Sequence, residues 1–472
     1  MNAPIADAKE IVATLIAKAR SAQRVAERWS QAEADAAALA AGWAIMQSEH
    51  NRALAEMAVR ETGLGNVADK IAKNHRKTLG LLRDLQHAKT VGVIARDEAN
   101  GIVEIARPVG VVAAITPSTN PGATPANNIV NAFKCRNAIV LAPSPKGWST
   151  CAQLLEYVRA ELDRIGAPHD LVQMLPAPVT KDTTGELMRQ ADLVVATGSQ
   201  ANIRAAYSSG TPALGVGAGN VASIVDATAD IDDAAAKIAR SKTFDNATSC
   251  SSENSVVILA SVYDATLAAL ARQGGVLLTG AEKRRLEQTM WPDGKLSSAV
   301  TAQSASKIAA LADLGRPAFA DARFLMVEEE GAGPDHPFSG EKLSPVLAVY
   351  RARDFDHACE VVSAIYAFQG AGHSVGIHTR DDGHIERLGY ELPVARVIVN
   401  QAHCIATGGS FDNGLPFSLS MGCGTWGRNS FSDNLQFRHF LNVTRIARPI
   451  PPREPTTEEI FGAYLARYHG RQ

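Results

Sequence analysis

A cysteine flanked only by small and polar residues stands at position 250, in Phe244-Asp-Asn-Ala-Thr-Ser-Cys-Ser-Ser-Glu-Asn254. Such flanks suit a tight, exposed loop that presents a thiol to a cleft and turns backbone N–H groups toward it. A core cysteine has apolar flanks instead, and a buried packing thiol is the competing reading for any single Cys. The chemistry of an exposed thiol is covalent. The thiolate attacks an electrophilic carbon, nearby donors receive the oxyanion, and a hydride acceptor needs a place beside them.

Asn120 lies in the turn-forming stretch Thr116-Pro-Ser-Thr-Asn-Pro121, after an apolar run. Its amide can donate to an oxyanion, or it can serve only as a turn residue. The loop Gly215-Val-Gly-Ala-Gly-Asn220 allows close approach of backbone to a ligand, although it lacks the G-x-G-x-x-G spacing of a dinucleotide fingerprint. Thr197-Gly-Ser199 falls between a short strand and a helix. Its N–H groups would open toward an anion such as a pyrophosphate, unless it is an ordinary strand–helix turn.

The elements that would position these residues alternate. Residues 6–60 are Ala-rich, with Ile11, Leu15 and Ile16, and again Leu39, Trp43 and Met46, at helical spacing. That pattern predicts two or more amphipathic helices, with a further helical stretch over 66–90. An edge strand at 102–107 and a buried strand at 111–115 follow. Next come a helix at 125–135, a strand at 138–142, a helix at 149–165, a strand near 171–175, a helix at 180–190 and a strand at 193–196. Strands alternating with helices predict a doubly wound α/β sheet. A second α/β lobe begins near Cys250 and closes with a strand at 397–399. A Gly-rich loop at 406–430, a strand within 438–450, a Pro-rich linker at 451–456 and a last helix complete the chain. The expected division is a cofactor-binding domain over 1–248, a catalytic domain over 249–425, and a return to the cofactor domain over 426–472.

With 472 residues the chain exceeds what one core serves. A formal net charge of −2, from 47 basic and 49 acidic side chains, gives no reason to expect nucleic acid or a membrane surface as partner. Six cysteines with no CxxC pair make neither a disulfide framework nor a zinc site, so a reducing, cytoplasmic setting and no metal are expected. No secretory signal is visible over Met1 to Glu10, and no run of 18 apolar residues suggests a membrane span. His373 and His378 have no third ligand spaced for a metal, and Cys423 reads as a packing residue.

Five segments together resemble the aldehyde dehydrogenase superfamily, in its coenzyme A-acylating branch: Ile115-Thr-Pro-Ser-Thr-Asn-Pro121, Gly215-Val-Gly-Ala-Gly-Asn220, Asp245-Asn-Ala-Thr-Ser-Cys250, Glu341-Lys-Leu-Ser-Pro345 and Gly422-Cys-Gly-Thr-Trp-Gly427. Their order and spacing match over residues 100–445. The resemblance implies an aldehyde dehydrogenase-like fold with a small oligomerisation hairpin, formed by 102–107 and 440–447, and a homodimer or homotetramer. It makes Cys250 the nucleophile, and Asn120 with the Cys250 N–H the oxyanion donors. It places Glu341 on the nicotinamide ribose, Gly198 and Ser199 at the pyrophosphate turn, and Lys146 at the adenosine ribose. Thr116, Ser144, Thr197 and Gly217 join the cofactor contacts. The cofactor is NADP or NAD, with coenzyme A as co-substrate.

One departure from the family's hydrolytic members is informative. Their water-activating glutamate has no counterpart here, and Val216 stands at the aligned position. Water, with a pKa of about 15.7, needs a base to attack a thioester. A thiol near 8.5 is already a few per cent thiolate at neutral pH, so coenzyme A dispenses with that carboxylate. Glu253, three residues after the nucleophile, is read as structural.

Within the branch the resemblance is greatest to acylating enzymes for sulfoacetaldehyde, a short polar aldehyde. Small residues of His403-Cys-Ile-Ala-Thr-Gly-Gly-Ser410 would form the substrate mouth. His403, Thr407, Gly408, Gly409, Ser410 and Arg428 are the candidate sulfonate donors. The alternatives are acylation of acetaldehyde, propionaldehyde or succinic semialdehyde, a hydrolytic enzyme giving the free acid, an acyl-phosphate reductase, and a catalytically silent oligomeric binding protein.

Overall fold

The computed structural model describes residues 7–217 and 219–470. The first six residues of the N-terminal reading, and Ala218 of the glycine loop, lie outside the described residues.

A five-stranded parallel sheet runs in the order Val172–Met174, Ala138–Pro143, Val111–Thr116, Leu193–Thr197, Ala213–Val216. Every residue of Val111–Thr116 and of Ala138–Pro143 is buried. Helices on both faces account for such continuous apolar runs. Val111 pairs with Ala138, and Val112 with Leu193, on opposite sides. The chain winds outward from Val111–Thr116 in one direction, then returns to wind the other way. Thr116 and Thr197 therefore end two neighbouring strands at the point where winding reverses, the place where α/β sheets open a crevice for ligands.

Helices Ala8–Ala26, Gln31–Met46, Ser48–Thr62 and Val67–Leu85 form the N-terminal layer. The apolar spacing of Leu39 and Trp43 is misleading: they are 56% and 55% exposed. The buried side of Gln31–Met46 is built from Ala34, Ala37, Ala38, Ala41, Ala44 and Ile45. Small side chains let that helix lie close against helix Ala123–Lys134, so the alanines, rather than the bulky residues, carry the packing.

The seven-stranded parallel sheet has the order Gly275–Leu277, Phe324–Glu328, Val346–Ala352, Glu253–Leu259, Val221–Val225, Val375–His378, Val397–Val399. Val221–Val225 pairs with Glu253–Leu259 although it precedes the boundary expected at residue 248. The second sheet therefore starts about thirty residues ahead of Cys250, and the glycine loop that carries the chain across lies between the two sheets.

A three-stranded antiparallel sheet joins Gly92–Asp97, Ile102–Pro108 and Leu441–Ala447, with Ile102 opposite Ala447 and Pro108 opposite Leu441. Its outer strand Gly92–Asp97 carries little apolar signal in the sequence. The closing strand returns the chain to the first lobe: Leu435 and Phe440 belong to the core under the five-stranded sheet. Among the described residues no helix is long and apolar enough to cross a membrane, and no His, Cys, Asp or Glu cluster could hold a metal.

Candidate active site

The loop that leads to Cys250 begins where helix Ile231–Thr243 ends. Asp245, Asn246 and Ala247 then adopt φ of 51°, 51° and 59°, three successive non-glycine residues in the left-handed region. Such a run is unfavourable and persists only when its surroundings impose it. Asp245 supplies the restraint. Its carboxylate accepts from Asn66 N at 2.9 Å, Lys70 Nζ at 3.1 Å, Lys73 Nζ at 2.6 Å and Thr248 Oγ1 at 2.7 Å. Its N–H donates to Asp69 Oδ2 at 2.7 Å. Burial alone would raise the Asp245 pKa, but Lys73 and Lys70 outweigh it and hold the carboxyl below its ordinary value. Burial lowers Lys70 to about 8, with Lys73 adding to the effect.

Five of the six cysteines are buried; Cys250 is half-buried, its residue open to the cavity while the protein around the sulfur keeps most water from it. Its backbone is pressed against the glycine loop, where a Cβ on Gly219 would come within 2.0 Å of the Cys250 carbonyl oxygen. Burial pushes the thiol up to about 12, with Glu341 and Cys423 adding to the effect, so the resting group is a thiol. His373 Nε2 lies 3.5 Å from the sulfur. Its Nδ1 meets Ser374 Oγ at 2.8 Å, and that hydroxyl meets His403 Nε2 at 2.8 Å. Burial, with Arg396 nearby, lowers His373 to about 3, so the imidazole is neutral. His403 Nδ1, at the far end, has no partner. A buried acceptor is cheaper to orphan than a buried donor, which favours a chain donating from His403 through Ser374 to His373 and directing His373 Nε2–H at the sulfur.

Asn120 faces the same space. An ammonium can only donate, so Lys73 Nζ, 2.8 Å from Asn120 Oδ1, claims the amide oxygen. The amide nitrogen, 3.4 Å from Thr119 Oγ1, is left as the donor. Lys73 thus ties the Asn120 amide to Asp245.

One cavity of about 1350 Å³ joins these groups to the strand ends. It exceeds the 300–1,000 Å³ usual for one small ligand. Thr116, Ser144, Thr197, Gly198, Ser199, Gly217 and Glu341 all line it, as do Cys250 and Asn120. Thr116 Oγ1 is buried without a partner, and Ser199 caps helix Gln200–Tyr207 by accepting from Asn202 N at 3.3 Å. An orphaned hydroxyl and a capped helix start at the switch point fit the phosphates and ribose of a dinucleotide. Glu341 is raised to about 8 by burial, against a backbone hydrogen bond from Gly219. Val216 presents an apolar side chain to the cavity.

Other expected site residues lie elsewhere. Lys146 is exposed in the short turn Pro145–Gly147 and does not line the cavity, whereas Lys181 does. His403 is 1% exposed and turned toward Ser374. Thr407 is buried, with Oγ1 on the His403 carbonyl, and Gly409 packs on the backbone of Phe417. Ser410 accepts from Arg76 at 2.9 Å. Arg428 is exposed and off the cavity. Of the expected substrate residues only Gly408 reaches the lining. Glu253 is fully buried, raised to about 7 by burial, and turned to Ser241 Oγ. Missed from the sequence are His373, Asp245 and the cations of helix Val67–Leu85: Lys73, Arg76 and Lys77, which line the cavity.

The family profile described as Aldehyde dehydrogenase family matches residues 2–318. A sulfoacetaldehyde dehydrogenase (acylating) of Cupriavidus necator is 66% identical over 464 residues, covering 98% of this chain and 94% of the relative. A succinate-semialdehyde dehydrogenase (acetylating) of Clostridium kluyveri is 39% identical over 450 residues, covering 95% and 98%. The crystal structure of an acetylating aldehyde dehydrogenase from Geobacillus thermoglucosidasius superposes with a TM-score of 0.91 at 36% identity, over 95% of this chain and 98% of that one.

Proposed function

This chain belongs to the aldehyde dehydrogenase family, in its acylating branch, and from that premise we propose that it oxidises sulfoacetaldehyde to its coenzyme A thioester, with NADP or NAD, through a thioester on Cys250. The observation that carries the reading is the juxtaposition in one cavity of Cys250 and an Asn120 amide whose oxygen is already taken by Lys73. The identity of the aldehyde is supported by the relative from Cupriavidus necator.

The Cys250 sulfur bonds to the aldehyde carbon, and the thiol proton is lost to the surroundings. The carbonyl oxygen gains the negative charge beside Asn120 Nδ2 and the Cys250 N–H. Each such donor is worth about 3–4 kcal/mol in the transition state. When bound, the nicotinamide cofactor supplies the hydride acceptor. Thr116, Gly198 and Ser199 would hold its phosphates and ribose, and Glu341 its second ribose. Collapse of the oxyanion leaves the acyl group on sulfur. The thiol of coenzyme A then forms a new carbon–sulfur bond as the bond to Cys250 breaks, and the proton of the incoming thiol returns to Cys250. One aldehyde, one oxidised cofactor and one thiol give one thioester, one reduced cofactor and one proton.

Apolar Val216 on the lining and the inward-turned Glu253 favour transfer to a thiol over hydrolysis. The deciding experiment follows NAD(P)H formation from sulfoacetaldehyde with and without coenzyme A. Turnover that requires coenzyme A and yields the thioester is expected. Equal rates without it, with free acid as product, would replace this reading by the hydrolytic one. Lys181 on the lining suits a 2′-phosphate better than Lys146, so Lys181→Ala is expected to lower any preference for NADP. We also propose a division of the lobes near residues 217–221, and a homo-oligomer formed along the outer strands of the three-stranded sheet.

A further inference from the structure

Lys73, Arg76 and Lys77 occupy positions i, i+3 and i+4 of helix Val67–Leu85, so they share one face. All three line the cavity that holds Cys250. Their partners differ. Lys73 is neutralised by Asp245. Arg76 donates to the carbonyls of Ile405 and Gly409 and to Ser410 Oγ. Lys77 is 7% exposed, and its Nζ donates to one group, the carbonyl of Gly408 at 2.5 Å. Among the described residues no carboxylate forms an ion pair with Arg76 or Lys77. An ammonium has three N–H donors, so two remain on Lys77 for a ligand. A buried cation without a counter-ion is costly unless an anion comes to it.

We propose that Lys77, backed by Arg76, is the subsite for the sulfonate of the aldehyde, and so the residue that selects an anionic substrate over a neutral one of equal length. The inference rests on the reading that the aldehyde carries a sulfonate. The reach agrees with it. Two bonds separate the carbonyl carbon of sulfoacetaldehyde from its sulfur. Four residues of helix, about 6 Å, separate Lys77 from Lys73, which holds the Asn120 amide. Lys77, Asn120 and Cys250 line one cavity, so an aldehyde with its oxygen at Asn120 has this cation one helical turn from the lysine that holds the amide. The expected mouth at residues 403–410 gives this wall the carbonyls of Ile405, Gly408 and Gly409 and the Ser410 hydroxyl, and these orient the cations.

The free cation also titrates. Burial, with Arg76 beside it, lowers Lys77 to about 7. Facing it are Lys73 and Arg76 from its own helix, Cys404 from the segment His403–Ala406 and Cys250 from the nucleophile loop. Both thiols are raised, to about 11 and about 12, so neither changes charge between pH 6 and 9. A sulfonate stays anionic throughout, and its binding should weaken as pH rises above about 7 and the ammonium is lost.

Two measurements test this. The first compares kcat/KM for sulfoacetaldehyde and propionaldehyde in the unmodified enzyme, Lys77→Met and Lys77→Arg. The ratio is expected to favour sulfoacetaldehyde, to fall by about 10- to 100-fold in Lys77→Met, and to be largely restored in Lys77→Arg. A wild-type ratio favouring propionaldehyde overturns the functional reading itself. A wild-type preference for sulfoacetaldehyde that survives in Lys77→Met overturns only the subsite. The second uses ethanesulfonate as a competitive inhibitor of propionaldehyde oxidation, and needs only the wild type and the conservative variant. Its inhibition constant should rise with pH above about 7 in the wild type and stay level in Lys77→Arg. Inhibition independent of pH in the wild type, or a pH dependence unchanged in Lys77→Arg, overturns the proposal.

Discussion

On the side of the cavity proposed for the cofactor, Thr116, Thr197 and Ser199 sit at strand ends and a helix start, so local backbone geometry decides where they point. On the Cys250 side, Lys73, Asn120 and Asp245 come from segments more than a hundred residues apart at the extremes, and Lys73 joins the Asn120 amide to the Asp245 carboxylate of the loop that leads to Cys250. Groups fixed by backbone act independently, and their losses should add. Groups fixed by one another should fail together.

The sharpest test removes the sulfur. Cys250→Ala is expected to reduce turnover at least ~10⁴-fold, with no acyl adduct in an intact-mass spectrum and with cofactor binding retained in a fluorescence titration. Loss of cofactor binding as well would mean that the two walls are not separable. Next is Asn120→Ala, expected to lower kcat by about 10²- to 10³-fold. Lys73→Met should give a comparable loss because it frees the amide, and the double variant should be little worse than either single one. Fully multiplicative losses would show that Lys73 acts by some other route.

Asp245→Asn leaves two buried ammonium groups without their counter-ion. It should cost about 3–5 kcal/mol of stability, measured by denaturant unfolding. Because the folded pKa of Asp245 is depressed, its contribution is present above the unfolded carboxylate value of about 3.9. That contribution is lost as pH falls through the lower folded value, and the difference between wild type and variant should shrink there. The thiol gives a fourth test. With Cys250 raised to about 12, thiolate is scarce at neutral pH. Alkylation by iodoacetamide in the free protein should climb about tenfold per pH unit beyond pH 9; a plateau near 8.5 would contradict that environment. The smallest effect belongs to the backbone-built wall. Ser199→Ala removes one helix cap and should cost about 1 kcal/mol, seen as a modest fall in melting temperature.

The same contrast explains what the sequence revealed. The place of Thr197 and Ser199 on the cavity lining was legible because strand–turn–helix order is a local signal, whereas Thr116 entered only through the family resemblance. Cys250 stood out through its polar flanks, and Asn120 through its place after a buried strand. Lys70, Lys73 and Lys77 recur at helical spacing, the pattern of a solvated face. They continue into Leu81 and Leu85 as one buried stripe, which only the packing of the nucleophile loop makes comprehensible. His373 follows a glycine in an unremarkable turn, and its approach to Cys250 spans 123 residues. His403 and Arg428 had the right chemistry, but the chain directs one inward and the other outward. Leu39 and Trp43 show the reverse error, in which apolar spacing on a helix marked the exposed side because alanines had taken the buried one.

The clasp between helix Val67–Leu85 and the loop beyond residue 403 has a consequence for biosynthesis. Lys77 meets Gly408 across 331 residues, and Asp84 takes the N–H of Phe417 across 333. At roughly 5–20 residues per second, the early helix leaves the ribosome some tens of seconds before its partner exists. A nascent chain can complete the first strands long before it owns an aldehyde pocket, and until then its buried lysines remain in water, where their charge costs nothing.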